Sequence, residues 1–210
     1  AKKGEKSVRW KGGAEVSDLA KEDGARVAVV AIWSTATYAV QYEGNGATSG
    51  AMGDQSFVYG EAQQLATNVF KRVGYTFEGW AESENGNKKY DNLQVVSNLT
   101  LQAGGKVGLW AKWTPNSYVV RFDGNGATGG TMEDEEFDYD EAKLLTANGF
   151  AKDGWKFLGW ATNATGAVVY GDREQVCNLA TRGTKKLYAV WKQLYNISFN
   201  AGGGEGEMQE

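Results

Sequence analysis

The sequence predicts a strand-rich α+β fold, built from tandem small modules that each combine a mixed or antiparallel sheet with one short helix. Three observations predict it. The chain repeats itself at a constant offset of 80 residues, without a gap between Tyr38–Ala81 and Tyr118–Ala161, where half of the aligned positions are identical. The opening and closing segments of the repeat alternate apolar and polar residues with period two, as half-buried strands do. The chain holds 29 glycines and one proline, a composition of tight glycine turns.

The repeat sets the domain organisation. Gly79-Trp80-Ala81 returns as Gly159-Trp160-Ala161, and Ala1 reads as the last residue of an earlier copy. Residues 1–33 are thus the C-terminal half of a repeat, 38–113 and 118–191 are complete repeats, and 195–210 begin another. Short joints separate them, Ser34–Thr37, Thr114–Ser117 and Lys192–Leu194, the second holding Pro115. Joints of this length hold neighbours close. A period near 80 residues is too long for a solenoid and suits a small self-contained module. The incomplete end repeats lack strands, so the intact protein is expected to continue on both sides. Self-association through those ends is a further expectation.

Within a repeat, the first strand turns Tyr118, Val120 and Phe122 to one face, matched by Tyr38, Val40 and Tyr42. A weaker strand lies near Phe57–Tyr59 and Phe137–Tyr139, and a firmer one at Tyr75–Trp80 and Trp155–Trp160. A short strand centres on Trp10, Tyr90 or Tyr170. The closing strand carries Val107, Leu109, Ala111 and Trp113, or Leu187, Ala189 and Trp191. The short helix falls at Glu61–Leu65 and Glu141–Leu145, with Asn148-Gly149 as a left-handed stop. The spacing of Val96 to Leu99 and Val176 to Leu179 suggests one more helical turn. A module of this size buries a modest core, and its aromatics carry it: Trp33, Trp80, Trp113, Trp160 and Trp191, with Phe70, Phe77, Phe150 and Phe157. Each buried ring contributes about 2 kcal/mol.

Composition narrows the function classes. Hydrophobic residues make up 41% and the net charge is −4, with no basic run interleaved with aromatics, so the chain is globular and has no nucleic-acid footprint. No apolar run approaches the roughly 20 residues of a membrane span. With no histidine and one cysteine, Cys177, the chain lacks the parts of Ser-His-Asp and Cys-His catalysis and of most zinc sites.

Four features invite chemistry. Gly124-Asn-Gly126-Ala-Thr-Gly129 fits the dinucleotide spacing, but no helix follows and Ser49 replaces the third glycine in the sister copy, so a glycine turn is the better reading. Glu133, Asp134, Glu135 and Glu136, with Asp138, Asp140 and Glu141 beyond, form an acidic stretch that would hold Ca²⁺ if its carboxylates converged at about 2.3–2.6 Å. A charged strand edge that blocks aggregation explains it equally well. Of the carboxylates, Asp54/Asp134 and Glu61/Glu141 recur between complete repeats, without a cleft to make them an acid–base pair. Cys177 stands where Ser17 and Ser97 stand, as at a small buried or half-buried site. No catalytic residue and no cofactor is assigned.

The stretch Leu65-Ala-Thr-Asn68-Val-Phe70-Lys-Arg72-Val-Gly74-Tyr75-Thr-Phe77-Glu-Gly79-Trp80 is similar to the core of the internalin B-repeat family, also called the Listeria–Bacteroides repeat. Tyr118–Gly126 resembles its opening strand and turn, and Leu187-Tyr-Ala-Val-Trp191 its ending. Ala66 and Thr146 stand where the family commonly has proline, and Trp155 stands for a tyrosine. The resemblance implies β-grasp-like modules in tandem, in bacterial cell-surface or secreted proteins, acting as non-catalytic spacers or adhesion segments. The implied location is extracellular, and the implied partners are a host or neighbouring-cell surface protein or glycan.

Overall fold

The computed structural model describes residues 12, 14, 15, 24, 26, 34–197 and 202. Most of the half-repeat 1–33, including Trp10 and Trp33, and most of the restart beyond residue 197 lie outside the described residues. The chain divides into two compact units, Ala1–Thr35 and Ala36–Glu210, and the second holds both complete repeats.

The first repeat contains β1 (Thr37–Glu43), β2 (Gln55–Val58), β3 (Gln63–Gln64), β4 (Tyr75–Ala81), β5 (Val95–Val96) and β6 (Lys106–Pro115). The second contains β7 (Ser117–Asp123), β8 (Glu135–Asp138), β9 (Lys143–Leu144), β10 (Trp155–Ala161), β11 (Gln175–Val176) and β12 (Gly183–Gln193). Each repeat folds as a mixed four-stranded sheet, in the orders β2-β1-β6-β4 and β10-β12-β7-β8. The opening and closing strands pair in parallel at the centre, β1 with β6 and β7 with β12, and both flanks are antiparallel. The short pairs β3–β5 and β9–β11 form separate two-stranded ribbons.

No helix occurs among the described residues, which overturns the α+β expectation of one short helix per module. The β-grasp-like expectation depends on that helix and falls with it. Where the helix was expected, Gln63–Gln64 and Lys143–Leu144 pair as strands with β5 and β11. The physical reason lies in the apolar spacing. A helix needs a stripe of inward residues, whereas Leu65 (1% exposed) is the one buried side chain of its segment and Leu144 beside Leu145 is 59% exposed. The Val96–Leu99 turn is likewise absent: Val96 is a strand residue, and the chain then bends through Asn98 at φ 52°, outside the right-handed helical region. Asn148-Gly149 stops no helix. Asn148 Oδ1 accepts from Phe150 N at 3.0 Å and its Nδ2 donates to Phe150 O at 3.0 Å, as Asn68 does around Phe70 at 2.9 and 3.2 Å. This side-chain clip on the backbone presents Phe70 and Phe150 to the cores. Tyr90 and Tyr170 make single bridges to Trp80 and Trp160 in place of the expected short strand.

The Gly-Trp mark acquires a reason. Strict alternation from Phe77 would send residue 80 to the opposite face. Instead the register against β6 shifts between Phe77, opposite Trp113, and Gly79, opposite Lys112. This bulge absorbs Glu78 and turns Trp80 to the same side as Phe77, with ring centroids 5.0 Å apart. Gly79 must be glycine, because its φ is +151° and a Cβ would lie 2.4 Å from the Tyr90 carbonyl oxygen. Trp80 then sits at 0% exposure among Tyr42, Phe70 and Phe77. The second repeat reproduces the arrangement at Gly159 and Trp160 with Phe122, Phe150 and Phe157. Phe70, Phe77, Trp113 and their counterparts Phe150, Phe157 and Trp191 are partly buried against these cores. Both buried indole N–H groups, Trp80 Nε1 and Trp160 Nε1, lack a hydrogen-bond partner.

Replacing Trp160 by Ala removes the largest buried side chain of the second core and is expected to cost about 3–5 kcal/mol. Gly159→Ala is expected to cost about 1–3 kcal/mol from the positive φ alone, before the carbonyl clash. Denaturant unfolding of the full chain, followed by far-UV circular dichroism, measures both. Unchanged unfolding midpoints would remove Trp160 from the centre of the core.

Candidate functional site: the joint between repeats

β6 ends at Pro115 and β7 begins at Ser117, so Asn116 alone connects the two sheets. The expected four-residue joint Thr114–Ser117 is otherwise strand. Asn116 is held from both sides. Its N donates to Gly74 O at 2.8 Å and its Oδ1 accepts from Thr76 Oγ1 at 2.6 Å, both in the first repeat. Its O accepts from Tyr139 N at 2.9 Å and its Nδ2 donates to Thr181 O at 3.1 Å, both in the second. Four polar groups of one residue are thus satisfied, two by each module.

A ring cluster surrounds this residue. The Arg72 guanidinium lies 3.8 Å from the Tyr75 ring centroid, and Tyr139 meets Tyr75 edge-on with centroids 5.8 Å apart. Tyr139 covers Gly74 so closely that a Cβ there would sit 2.2 Å from the ring. The Tyr75 hydroxyl donates to Asp140 Oδ2 at 2.7 Å. Asp140, at φ 64°, is fixed in turn by Asn178, which donates through Nδ2 to Asp140 Oδ1 at 2.7 Å and accepts from Asp140 N at 2.6 Å. The Asn178 hydrogen bond, then that of Tyr75, hold the Asp140 carboxyl below its ordinary value, with a smaller contribution from the Arg72 charge. The same contact raises the Tyr75 phenol, chiefly through its hydrogen bond to Asp140.

The structure distributes the acidic stretch. Asp134 takes a forked pair from Arg121, with Nη2 at 2.6 Å, and this pulls its carboxyl down. Glu135 meets Lys143 at 3.1 Å and accepts from Thr146. Glu136 offers its backbone oxygen to Lys143, and Asp138 accepts from Ser117 Oγ at 2.6 Å. Glu133 is exposed. Among the described residues no three His, Cys, Asp or Glu side chains converge as metal ligands would. Asp54, the counterpart of Asp134, pairs with Lys106 at 2.7 Å. These exposed pairs contribute little stability, each on the order of 0–1 kcal/mol.

The glycine motif is a turn tied to the closing strand. Asn125 (φ 48°) and Gly126 (φ 82°) follow β7, and Asn125 Nδ2 donates to Ala189 O at 2.9 Å and Ala164 O at 2.8 Å. Trp191 Nε1 donates to Gly124 O at 2.8 Å, and Trp113 to Gly44 O at 2.9 Å. Cys177 is exposed, not buried or half-buried as its serine counterparts suggest. No helix of the described residues is long and apolar enough to cross a membrane.

The sequence marks the joint at Thr114–Ser117 but not the residues that meet across it. Gly74, Tyr139 and Asn116 are far apart in the chain, and each has a local reading of its own. The available signal was the recurrence of Gly74 as Gly154 and of Tyr59 as Tyr139, both outside the core pattern.

Paired mixed sheets with separate cores, joined through one bonded residue, define a pair of tandem-repeat modules. Residues 38–104 and 118–190 match the Listeria-Bacteroides repeat domain, and the chain belongs to that family. It is also similar to a "Putative Gly-rich membrane protein" of Evansella cellulosilytica, 33% identical over 139 residues, or 63% of this chain and 16% of that protein. A "Putative membrane protein" of the same organism is 29% identical over 165 residues, 76% of this chain and 23% of that protein. The chain therefore spans under a quarter of the length of these relatives.

Because its folded pKa is depressed, Asp140 stabilises the joint above its unfolded value, about 3.9, and that contribution is lost as pH falls through the depressed value. The melting temperature of the parent is expected to exceed that of Asp140→Asn near neutrality, and the gap is expected to close at acid pH. A gap that stays constant down to strongly acid pH would place the effect elsewhere.

Proposed function

We propose that this segment is a non-catalytic stalk of a bacterial surface or secreted protein, of the internalin B-repeat type, that holds other domains away from the envelope at a fixed bearing. The observation that carries this reading is Asn116, bonded through all four of its polar groups to both modules. A spacer needs stiffness between units, and a one-residue link with both ends satisfied supplies it. Family membership and the membrane-protein names of the relatives support a surface location. The recurrent residues support a structural role, since Trp80, Phe77, Asn68, Gly79 and Asn45 all serve packing, a clip, a bulge or a turn.

A direct adhesion role would favour an aromatic displayed on one copy. Trp110 and Tyr188 are the candidates, and both are half-buried. Trp110 lies across Gly108, where a Cβ would be 2.5 Å from its ring, and Lys186 Nζ lies 5.1 Å from the Tyr188 ring centroid. That covering counts against Trp110 and Tyr188 as ligand-binding rings.

Spin labels at Asn85→Cys and Thr165→Cys, in a Cys177→Ser background, read the distance between equivalent exposed turns of the two modules. A stalk gives one narrow distance distribution, and Tyr139→Ala with Asp140→Ala broadens it. A broad distribution in the parent would refute the stiff stalk.

A further inference from the structure

The socket that receives Tyr139 occurs twice, and we propose that its second copy, Lys152, Gly154 and Trp155, is the docking surface for another repeat module of this same type, which seats a tyrosine over Gly154. The inference rests on the stalk reading and deepens it by naming the partner of the second module's far end.

Position by position, Arg72, Gly74 and Tyr75 recur as Lys152, Gly154 and Trp155. The conformation recurs with them: Gly74 has φ +76° and Gly154 φ +75°. The cation stacks on the aromatic in both copies, Arg72 at 3.8 Å from the Tyr75 centroid and Lys152 Nζ at 4.5 Å from that of Trp155. The connecting hydrogen bond is also in place, Leu194 N to Gly154 O at 2.8 Å matching Asn116 N to Gly74 O at 2.8 Å. The chain therefore leaves the second module along the route by which it leaves the first.

One thing differs. A Cβ on Gly74 would strike the Tyr139 ring at 2.2 Å, whereas a Cβ on Gly154 meets nothing within 4 Å among the described residues. No described residue fills at the second joint the space that the tyrosine fills at the first, beside a half-buried tryptophan. The matching projection is a property of the module as well. Tyr59 occupies the place of Tyr139, its N donating to Ala36 O at 2.8 Å as Tyr139 N donates to Asn116 O, and it is 41% exposed. Gly60 N bonds Asn98 Oδ1 at 2.6 Å just as Asp140 N bonds Asn178 Oδ1. Each complete repeat thus presents a tyrosine at one end and a glycine socket at the other.

The polar contacts around the socket are particular to the first joint. Trp155 has no hydroxyl for an Asp140-like acceptor, Lys156 replaces Thr76 and Leu194 replaces Asn116. The second socket is the more apolar, and the ring seated over glycine is what the two sockets share.

The test uses the chain extended after Leu194 by a duplicate of residues 117–210, with spin labels at Thr165→Cys and at the same position of the duplicate. A second sample carries Asn85→Cys and Thr165→Cys as an internal reference for the first joint. The second-to-third module distance is expected to give a narrow peak. Gly154→Ala, or Ala in place of the duplicate's copy of Tyr139, is expected to abolish that peak while the reference distance stays narrow. The tyrosine substitution leaves the Gly154 backbone unstrained, so it separates docking from misfolding. A second-to-third distribution that is broad in the parent extension, or that neither substitution alters, overturns the proposal. A broad reference distance would instead count against the stalk reading.

Discussion

Each module depends on one irregularity, the bulge that absorbs Glu78 in β4 and its counterpart Leu158 in β10. A regular strand would place Phe77 and Trp80 on opposite faces, and a sheet of this size cannot cover both sides. The bulge places both rings on the same face, and glycine at residue 79 admits the Tyr90 carbonyl that closes the core's edge. The Asn68 clip then presents Phe70, and the Trp113 indole ties the closing strand to the opening turn. The module thus holds its core without a helix because its aromatic rings interlock on one concave side.

The two cores are nearly identical, and Tyr42 against Phe122 is the substitution among their buried residues. Tyr42 in the first repeat hydrogen-bonds Gln55 and Ala66 through its hydroxyl, which burial makes harder to ionise. Phe122 in the second has no such group, yet it meets Trp160 with centroids 4.9 Å apart, against 4.8 Å for Tyr42 and Trp80. By contrast Asn45, Gly46, Asn68, Gly74 and Gly79 are identical in both copies. The core substitution keeps volume, whereas a close backbone approach such as that of the Tyr90 carbonyl to Gly79 leaves no room for a side chain.

Much of the sheet was legible in the chain. Alternation marked β1 and β6 because their inward residues are buried and alternate with more exposed ones. The helix was misread because Leu65 and Val96 are lone buried residues in polar surroundings, a pattern that fits a short ribbon as well as a helical turn. Asn148-Gly149 looked like a helix stop because the clip on Phe150 uses the same residue type. The contacts across the joint were not legible, since their geometry depends on which ring lies over which glycine across two modules. Asp140 illustrates the point: in sequence it belongs to an acidic run, in space to a tyrosine of the other repeat.

The parallel pairing of β1 with β6 has a mechanical side. The chain enters a module at the start of β1 and leaves at the end of β6, and these strands run side by side in the same direction. Tension on the chain draws the two strands in opposite senses along their shared ladder. Every hydrogen bond of that ladder is then sheared at once, and none can open ahead of the others like a zipper. Unfolding under load is governed by the rate of crossing that collective barrier, so the strand order that closes the core also makes the module resist being pulled apart from its ends.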